Sequence, residues 1–304
     1  MDSRSILHKQ QLRVRLFISL AKIIFTIFFQ PRQHIALDNL RRSSLGPRFE
    51  GERGQRLVTE SLNHLALTLY HCVARVFGLK SKFIKRSNPN ESSSLIKFLD
   101  SLGVKVDSKL DLENLIDEQR GLIFMSAHIG AWEELIHLGT ILERKTFVLS
   151  RRMKIKVMQW LWDKSRRSFL PRMDQGQRAK LIINTLNQGG AIADVLDQHS
   201  PSKKAITCQF LGRSASTSSD LSRYALLSDS LIIPIFLLRD SNSITHNYCL
   251  HILDSIDPRI YLDQDLRRKE CIEKLTQSSC DRISEIVTLY PEQWLWIHRR
   301  WKLD

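Results

Sequence analysis

The chain has 304 residues, of which 42% are apolar and 26% charged, and this is the composition of a folded protein rather than a disordered one. The five cysteines are odd in number and include no C-x-x-C pair, so the sequence predicts neither a disulfide framework nor a zinc site, and it fits a reducing compartment. The formal net charge of +14 favours anionic partners: lipid headgroups, phosphates, nucleic acid or an acidic carrier protein.

The positive charge is concentrated in two stretches. Residues 1–45 carry eight Lys and Arg against two Asp, a net of +6. Residues 151–180 carry ten Lys and Arg against two Asp, a net of +8, and the two stretches together account for the whole excess. Both are therefore predicted to face anionic groups, whereas the charge of the remaining chain is balanced.

Residues 16–29, LFISLAKIIFTIFF, form a strongly apolar stretch near the N-terminus. A helix of this length spans about 21 Å, whereas a bilayer core of about 30 Å normally needs about 20 residues. The stretch therefore predicts a membrane-associated helix, either a short spanning helix or one that lies in the interface with basic side chains reaching headgroups. A buried core helix is the alternative. The bulky residues at the end of the apolar stretch disfavour a signal peptide.

The remaining chain predicts alternating strands and helices. Apolar side chains recur at three- and four-residue steps over residues 54–78, which predicts a long helix. Pro234 lies inside an apolar strand, where its missing N–H predicts an edge position or a bulge. The alternation predicts an α/β fold with a mostly parallel central sheet flanked by helices, preceded by the membrane-associated helix. The predicted strands are 121–127, 146–150, 191–196, 206–211, 231–238 and 244–253, and the predicted helices are 54–78, 131–142, 154–170, 176–188, 217–228 and 266–289.

Residues 126–133, SAHIGAWE, carry the clearest chemical signal. A buried strand is predicted to end there, with His128 at its exit and Glu133 in the first turns of the next helix, and strand exits of this kind bind ligands in α/β folds. A carboxylate beside an imidazole fixes its tautomer and stabilises the imidazolium, so the two residues fit a general base and its partner. The N–H groups of Ile129 and Gly130 are candidate donors to an oxyanion. Taken alone, the spacing favours a structural histidine over a catalytic one.

This segment resembles the His-x4-Asp/Glu motif of glycerolipid acyltransferases, and more specifically the bacterial lipid A biosynthesis acyltransferases that transfer late lauroyl and myristoyl chains. The family form is near His-Phe-Gly-Asn-Trp-Glu, and residues 128–133 read HIGAWE. The resemblance covers roughly residues 10–302, and its most specific part is PEQWLWIHRRWK. The matching segments are Ser150-Arg151, GAIADVLDQ at 190–198, FLGR at 210–213 with Thr217, and PEQWLWIHRRWK at 291–302.

Three positions depart from the family pattern. Ala131 stands where Asn is common, Ser150 where Tyr is common, and Ile155 where Asn often follows the arginine. His128 and Glu133 are both retained, so the resemblance still implies an active enzyme.

The resemblance implies an O-acyltransferase that works without a cofactor or metal at the cytoplasmic face of a bacterial inner membrane. The donor would be an acyl thioester of acyl carrier protein or CoA, and the acceptor a hydroxyl of a lipid A precursor. His128 and Glu133 would be catalytic, and transfer would be direct, since the sequence holds no G-x-S-x-G elbow. Arg151, Asp197 and Gln198 would bind substrate, and the Arg151 guanidinium offers paired donors to phosphate.

On this basis we predict a membrane-associated helical segment at residues 1–46 and an acyltransferase domain at 47–304. One alternative keeps the reaction but changes the acceptor to a lysophospholipid, an ornithine lipid or a glycosylated phosphatidylinositol. A nucleic-acid-binding protein is disfavoured because the basic runs lack interleaved aromatic residues and any recognised module. An inactive membrane scaffold is the remaining alternative.

Overall fold

The computed structural model describes most of the chain from residue 32 onward. The predicted apolar helix at residues 16–29 and the predicted phosphate contact Arg151 lie outside the described residues. Within the described part, none of the helices is both long and apolar enough to cross a bilayer. The described residues are 32–76, 99–100, 103–108, 118–138, 144–150, 155–166, 178–240, 247–262, 264 and 266–302.

All of the predicted strands are present, together with two that the sequence pattern does not predict. The first, β1, has the sequence VKVDS and buries only one face. Its exposed polar residues interrupt the apolar run that would predict a strand. The second, β6, is RSAST, whose small polar residues lack the apolar run of a buried strand. In chain order the strands are β1 Val104–Ser108, β2 Leu122–Ser126, β3 Thr146–Val148, β4 Ala191–Val195, β5 Ile206–Phe210, β6 Arg213–Thr217, β7 Leu231–Arg239 and β8 Tyr248–Ile252.

The predicted helices are also present where the structure describes them. The helix predicted to begin at residue 217 begins three residues later, because residues 213–217 belong to β6. The helices are α1 at residues 32–42, α2 Glu52–Val76, α3 Trp132–Leu138, α4 Lys156–Ser165, α5 Arg178–Asn187, α6 Asp220–Ser228, α7 Arg259–Leu262 and α8 Arg268–Leu289, with short 3-10 turns at Gly46–Arg48 and Pro291–Gln293.

In the described part of the chain, six strands form one sheet in the order β1-β8-β7-β2-β4-β3. Every neighbouring pair in this sheet is parallel except β7 and β8, which are antiparallel. The predicted α/β fold with a mostly parallel central sheet flanked by helices is therefore confirmed. Strands β5 and β6 form a separate antiparallel hairpin, which packs against α8.

Pro234 lies in an interior strand, since β7 is flanked by β8 and β2. The first part of β7, through Pro234, pairs with β2, whereas the regular ladder with β8 begins at Ile235. The Pro234 carbonyl accepts a hydrogen bond from the backbone N–H of Leu253, just beyond the end of β8. The prediction of an edge position is therefore wrong. The missing proline donor is tolerated because it falls where that ladder has not yet begun.

The register between β2 and β4 positions the two residues of greatest chemical interest. Ser126 at the end of β2 pairs with Val195 at the end of β4, and the strands are parallel. His128 and Asp197 each follow these paired residues by two positions. The sheet therefore brings them level with one another at the carboxyl edge, where α/β folds bind ligands.

The segment before residue 46 packs into the same core as the C-terminal part of the chain. Leu40 of α1 belongs to the buried cluster that contains Trp294. Asn39 Nδ2 donates to the backbone carbonyls of Trp296 (2.7 Å) and His298 (2.6 Å). The predicted division into an N-terminal segment and an acyltransferase domain stays a prediction, and α1 is in intimate contact with the larger part.

Candidate active site

His128 and Asp197 form a close pair at the carboxyl ends of β2 and β4. His128 Nδ1 lies 2.8 Å from Asp197 Oδ1, and the backbone N–H of His128 donates to Asp197 Oδ2 over 3.0 Å. The Asp197 side chain is only 2% exposed, whereas that of His128 is 20% exposed. The contact favours a proton on Nδ1 and leaves Nε2 as the ring nitrogen able to accept one.

The charges of this pair shift the pKa of both members. Burial opposes protonation of His128, but the neighbouring Asp197 carboxylate outweighs it and raises the pKa of His128 above its ordinary value, with further help from Glu133 and Asp194. Burial alone would raise the pKa of Asp197, but the charge and hydrogen bonds of His128 and the indole of Trp294 lower it to about 2. Asp197 is therefore ionised at neutral pH, and it stabilises a positive charge on His128.

The turn that carries His128 depends on Gly130. Its φ is +59°, and a Cβ atom there would collide with the carbonyl oxygen of Leu237. The Gly130 N–H donates to the Gln293 carbonyl (3.1 Å), and the Ile129 N–H donates to the Ala127 carbonyl (2.8 Å). Both N–H groups are thus already used, so the prediction that they receive an oxyanion is wrong for this conformation.

The C-terminal string PEQWLWIHRRWK holds the site together from outside the sheet. Trp294 forms a β-bridge with Ile129, and the Leu295 N–H donates to the His128 carbonyl over 3.0 Å. The Gln293 side chain accepts from the Arg239 N–H (3.0 Å) and donates to the Arg239 carbonyl (2.9 Å). The string therefore fixes both the histidine turn and the end of β7.

Arg300, in the same string, is buried and connects the Asp197 loop to β6. Its Nη1 donates to the carbonyls of Gln198 (3.0 Å) and Ser216 (2.7 Å), and its Nη2 donates to Thr217 Oγ1 (2.7 Å). The resemblance in sequence identifies the string but does not predict that Arg300 connects these segments, because its partners are distant along the chain.

Glu133 does not hydrogen bond to His128, contrary to the sequence prediction. Its Oε1 accepts from Trp162 Nε1 (2.8 Å) and Arg166 Nη2 (2.5 Å), and its Oε2 accepts from Arg166 Nε (3.0 Å). Burial alone would raise its pKa, but Arg166 and Trp162 hold the pKa of Glu133 below its ordinary value. The reason is placement: Glu133 lies in α3, which packs towards α2 and α4, whereas the register of β4 delivers Asp197 to the imidazole.

A second layer of buried polar groups lies behind the histidine turn. Arg239 Nη1 donates to the Gly130 carbonyl, and its Nη2 donates to Thr68 Oγ1 of α2 over 2.9 Å. Arg75 of α2 forms a buried ion pair with Glu134 of α3. These contacts attach α2 to the beginning of α3 and restrict movement of the turn between β2 and α3.

Of the other predicted binding residues, Gln198 lies next to the imidazole. The Gln198 Nε2 atom lies 3.4 Å from both ring nitrogens of His128, so its carboxamide lies directly beside the imidazole. Arg166 of the basic stretch is engaged by Glu133. Arg151 lies outside the described residues, and its predicted contact with phosphate stays a prediction.

Fold and site together define the class of protein. An α/β sheet holds a histidine at its carboxyl edge, a buried carboxylate orients that histidine, and one ring nitrogen remains to take a proton, as in proteins that use histidine as a general base. The family model for bacterial lipid A biosynthesis acyltransferases matches residues 9–303, and the chain belongs to that family. Membership implies an acyltransferase acting on lipid A or a related lipid. The search of curated proteins gave no match.

Proposed function

We propose that this protein transfers a fatty acyl chain from an acyl thioester, carried by acyl carrier protein or CoA, to a hydroxyl of a lipid A precursor. The observation that carries the proposal is the pair at the sheet edge, where Asp197 Oδ1 lies 2.8 Å from His128 Nδ1. Family membership supplies the reaction class and the kind of acceptor. The same pair would serve an acyltransferase with another membrane lipid as acceptor, and this is the second candidate.

The reaction would proceed by direct transfer. The acceptor hydroxyl oxygen attacks the thioester carbonyl carbon while its proton passes to His128 Nε2, and the Asp197 carboxylate stabilises the imidazolium that forms. The tetrahedral intermediate then collapses, the carbon–sulfur bond breaks, and the imidazolium returns the proton to the leaving thiolate. The products are an ester and a thiol, and His128 ends in its starting protonation state.

Other residues would bind and orient the substrates. The Gln198 carboxamide lies beside both ring nitrogens and would donate to the attacking hydroxyl or to the developing oxyanion. Arg151 is proposed to bind a phosphate of donor or acceptor through its paired N–H groups. Glu133 keeps a role in the site as the buried anchor of Arg166 rather than as the partner of His128.

The surroundings of the reaction are also part of the proposal. A lipid acceptor embedded in the membrane and a soluble, carrier-bound acyl chain would meet most readily at the cytoplasmic face of a bacterial inner membrane. The apolar stretch at residues 16–29 and its basic flanks would hold the enzyme there. No metal or cofactor takes part in the proposed steps.

Purified protein offered acyl carrier protein or CoA loaded with a labelled acyl chain, and lipid A precursor in detergent, tests the proposal. We expect label in the lipid, and His128→Ala should lower turnover by about 10²–10⁴-fold, the usual value of a positioned base. Parallel reactions with a lysophospholipid, an ornithine lipid and a glycosylated phosphatidylinositol identify the acceptor class. Full turnover by His128→Ala, or a trapped acyl-enzyme, would overturn the direct mechanism.

A further inference from the structure

Three tryptophans of the C-terminal string lie in one buried cluster but use their indole N–H groups differently. Trp294 Nε1 donates to Asp197 Oδ2 over 2.8 Å, and Trp296 Nε1 donates to the Pro291 carbonyl over 2.7 Å. The buried Trp301 Nε1 has no hydrogen-bond partner among the described residues. The three rings also pack together, since the Trp294 ring centroid lies 4.6 Å from that of Trp296 and 6.4 Å from that of Trp301. Trp294 is therefore the member of this cluster that reaches the proposed site.

We propose that Trp294 is a positioning residue for acyl transfer: its indole N–H fixes the Asp197 carboxylate in the plane that keeps a proton on His128 Nδ1 and leaves Nε2 free. The proposal rests on the function proposed above. The Trp294 indole N–H donates to Asp197 and in this mechanism does not touch the reacting atoms, so Trp294 acts through Asp197.

The geometry supports this role because the donors to Asp197 are divided between its two oxygens. Oδ1 is left to the His128 ring, while Oδ2 accepts both the His128 backbone N–H (3.0 Å) and the Trp294 indole N–H (2.8 Å). Two donors on Oδ2 prevent the carboxylate from rotating about its Cβ–Cγ bond. A carboxylate free to rotate would present either oxygen, or an unfavourable angle, to the imidazole.

The same indole also shares the negative charge of Asp197. A hydrogen bond from a neutral donor stabilises the ionised carboxylate and weakens its attraction for the imidazolium. Loss of the indole N–H should therefore raise the pKa of Asp197 and, as the carboxylate attracts the proton on His128 more strongly, raise the pKa of His128 as well. Among the described residues, the titratable groups that act on His128 are Asp197 and Asp194 from the β4 side, Glu133 from α3 and His298 from the C-terminal string.

Trp294 is also held firmly by burial and by contacts with three parts of the fold. It is 1% exposed, its backbone forms a β-bridge with Ile129, and its carbonyl accepts a hydrogen bond from Ser61 Oγ of α2 over 2.5 Å. Phe210 packs against its ring with the two centroids 5.5 Å apart. Contacts with α2, β5 and the histidine turn thus hold the indole in place beside Asp197.

Trp294→Phe in the full chain removes the N–H donor and keeps an aromatic ring, and Trp296→Phe and Trp301→Phe are its matched controls in the same cluster. For Trp294→Phe we expect kcat to fall about tenfold or more, equivalent to one hydrogen bond to a charged group, with KM for both substrates unchanged. The acid limb of kcat/KM should move to higher pH. The two controls should leave the limb at its wild-type pH.

A second variant separates the N–H group from the packing of the ring. Replacement of Trp294 by β-(3-benzothienyl)alanine keeps the bicyclic shape and substitutes sulfur for the N–H, so it should reproduce the fall in kcat and the shift of the acid limb while losing less thermal stability than Trp294→Phe. In an Asp197→Asn background, Trp294→Phe should produce no further shift. The inference would be overturned if both Trp294 variants had the same kcat and the same acid limb as Trp296→Phe.

Failure of the inference is distinguishable from failure of the proposed function. If Trp294→Phe behaves like its controls while His128→Ala abolishes transfer, only the role of Trp294 is wrong. If the wild-type protein transfers no acyl chain to any lipid offered, or if His128→Ala retains full turnover, the proposed function itself is wrong.

Discussion

Asp197 is the residue on which the chemistry of His128 depends most directly. Asp197→Asn removes the charge that raises the pKa of His128, so that pKa should fall and the acid limb of kcat/KM should move to lower pH. Turnover should fall about 10²-fold or more, because an asparagine amide can donate to Nδ1 and place the ring proton on Nε2, the wrong nitrogen. Initial rates measured across pH 4–9 test both expectations.

Asp194→Asn is the matched control, because this carboxylate lies on β4 and contributes less to the pKa of His128. It should shift the acid limb less than Asp197→Asn does. An equal shift from both variants would mean that general negative potential, rather than the direct 2.8 Å contact, sets the basicity of His128.

Glu133 belongs to a buried ion pair, so its replacement should act mainly on stability. Glu133→Ala leaves the Arg166 guanidinium, whose side chain is 16% exposed, without its carboxylate, and should lower the free energy of unfolding by about 3 kcal/mol or more. Trp162→Phe removes only one donor to Glu133 and should cost about 1 kcal/mol. Urea unfolding measures both values.

The pH profile of Glu133→Gln then decides between the two roles for this residue. With both Glu133 oxygens on Arg166 and Trp162, Glu133 acts on His128 through its charge alone, so the acid limb should move to lower pH by much less than in Asp197→Asn. A shift as large as that of Asp197→Asn would restore Glu133 as the partner of His128, as the sequence alone predicts.

At the scale of single elements, the turn between β2 and α3 is the most sensitive to substitution. Gly130→Ala combines a positive φ with a collision against the Leu237 carbonyl. Gly51→Ala is a matched control, because Gly51 has a φ of +57° but an added Cβ would meet nothing within 4 Å in the described part of the chain. The control should lose about 1–2 kcal/mol of stability, whereas Gly130→Ala should lose more and should also lose turnover as His128 is displaced. Equal losses in urea unfolding would show that the turn can relax.

Elements with a clear apolar period are the ones that the sequence predicts well. Strand β2, LIFMS, is buried throughout, and α2 repeats its apolar positions, so both are recognisable from local pattern alone. Strand β1 alternates apolar and polar residues over five positions only, and β6 is small and polar, so both depend on pairing partners elsewhere in the chain. Tertiary pairing, rather than local preference, makes these segments strands.

The candidate site can be predicted from the sequence only in part, for the same reason. His128 stands at the end of an obvious buried strand, so its position follows from local sequence. Its partner does not, because the choice between Glu133 and Asp197 depends on which strand pairs with β2 and in which register. The spacing of five residues in the sequence indicates Glu133 as the partner of His128. The register of the sheet instead brings Asp197, which is 69 positions away, next to the imidazole.

At the scale of the whole molecule, the N-terminal segment should determine where the protein resides. Deletion of residues 1–30 leaves α1 and its core contacts intact, yet removes the apolar stretch at 16–29 and most of its basic flank. The truncated protein should move from washed membranes to the soluble fraction or aggregate, because the buried apolar area that binds the bilayer is lost. Fractionation of cells that express either form measures this.

A full-length variant with Ile23→Lys and Ile24→Lys serves as the control, because it keeps the length and raises the basic charge while breaking the apolar stretch. If it still binds washed membranes as strongly as the wild type, electrostatic attraction rather than apolar insertion holds the protein. If the truncated form also pellets fully, the membrane contact lies elsewhere in the chain.

The site joins segments that are very far apart along the chain. Asn39 contacts the carbonyl of His298, a separation of 259 residues, and Trp294 contacts Asp197 over 97 residues. Closing such long loops is entropically costly, and proteins rich in distant contacts fold slowly. During refolding, helices such as α2 and α8 can therefore form well before the histidine pair is assembled. Regained turnover would then report the last stage of folding, whereas regained ellipticity would report an earlier, still inactive ensemble.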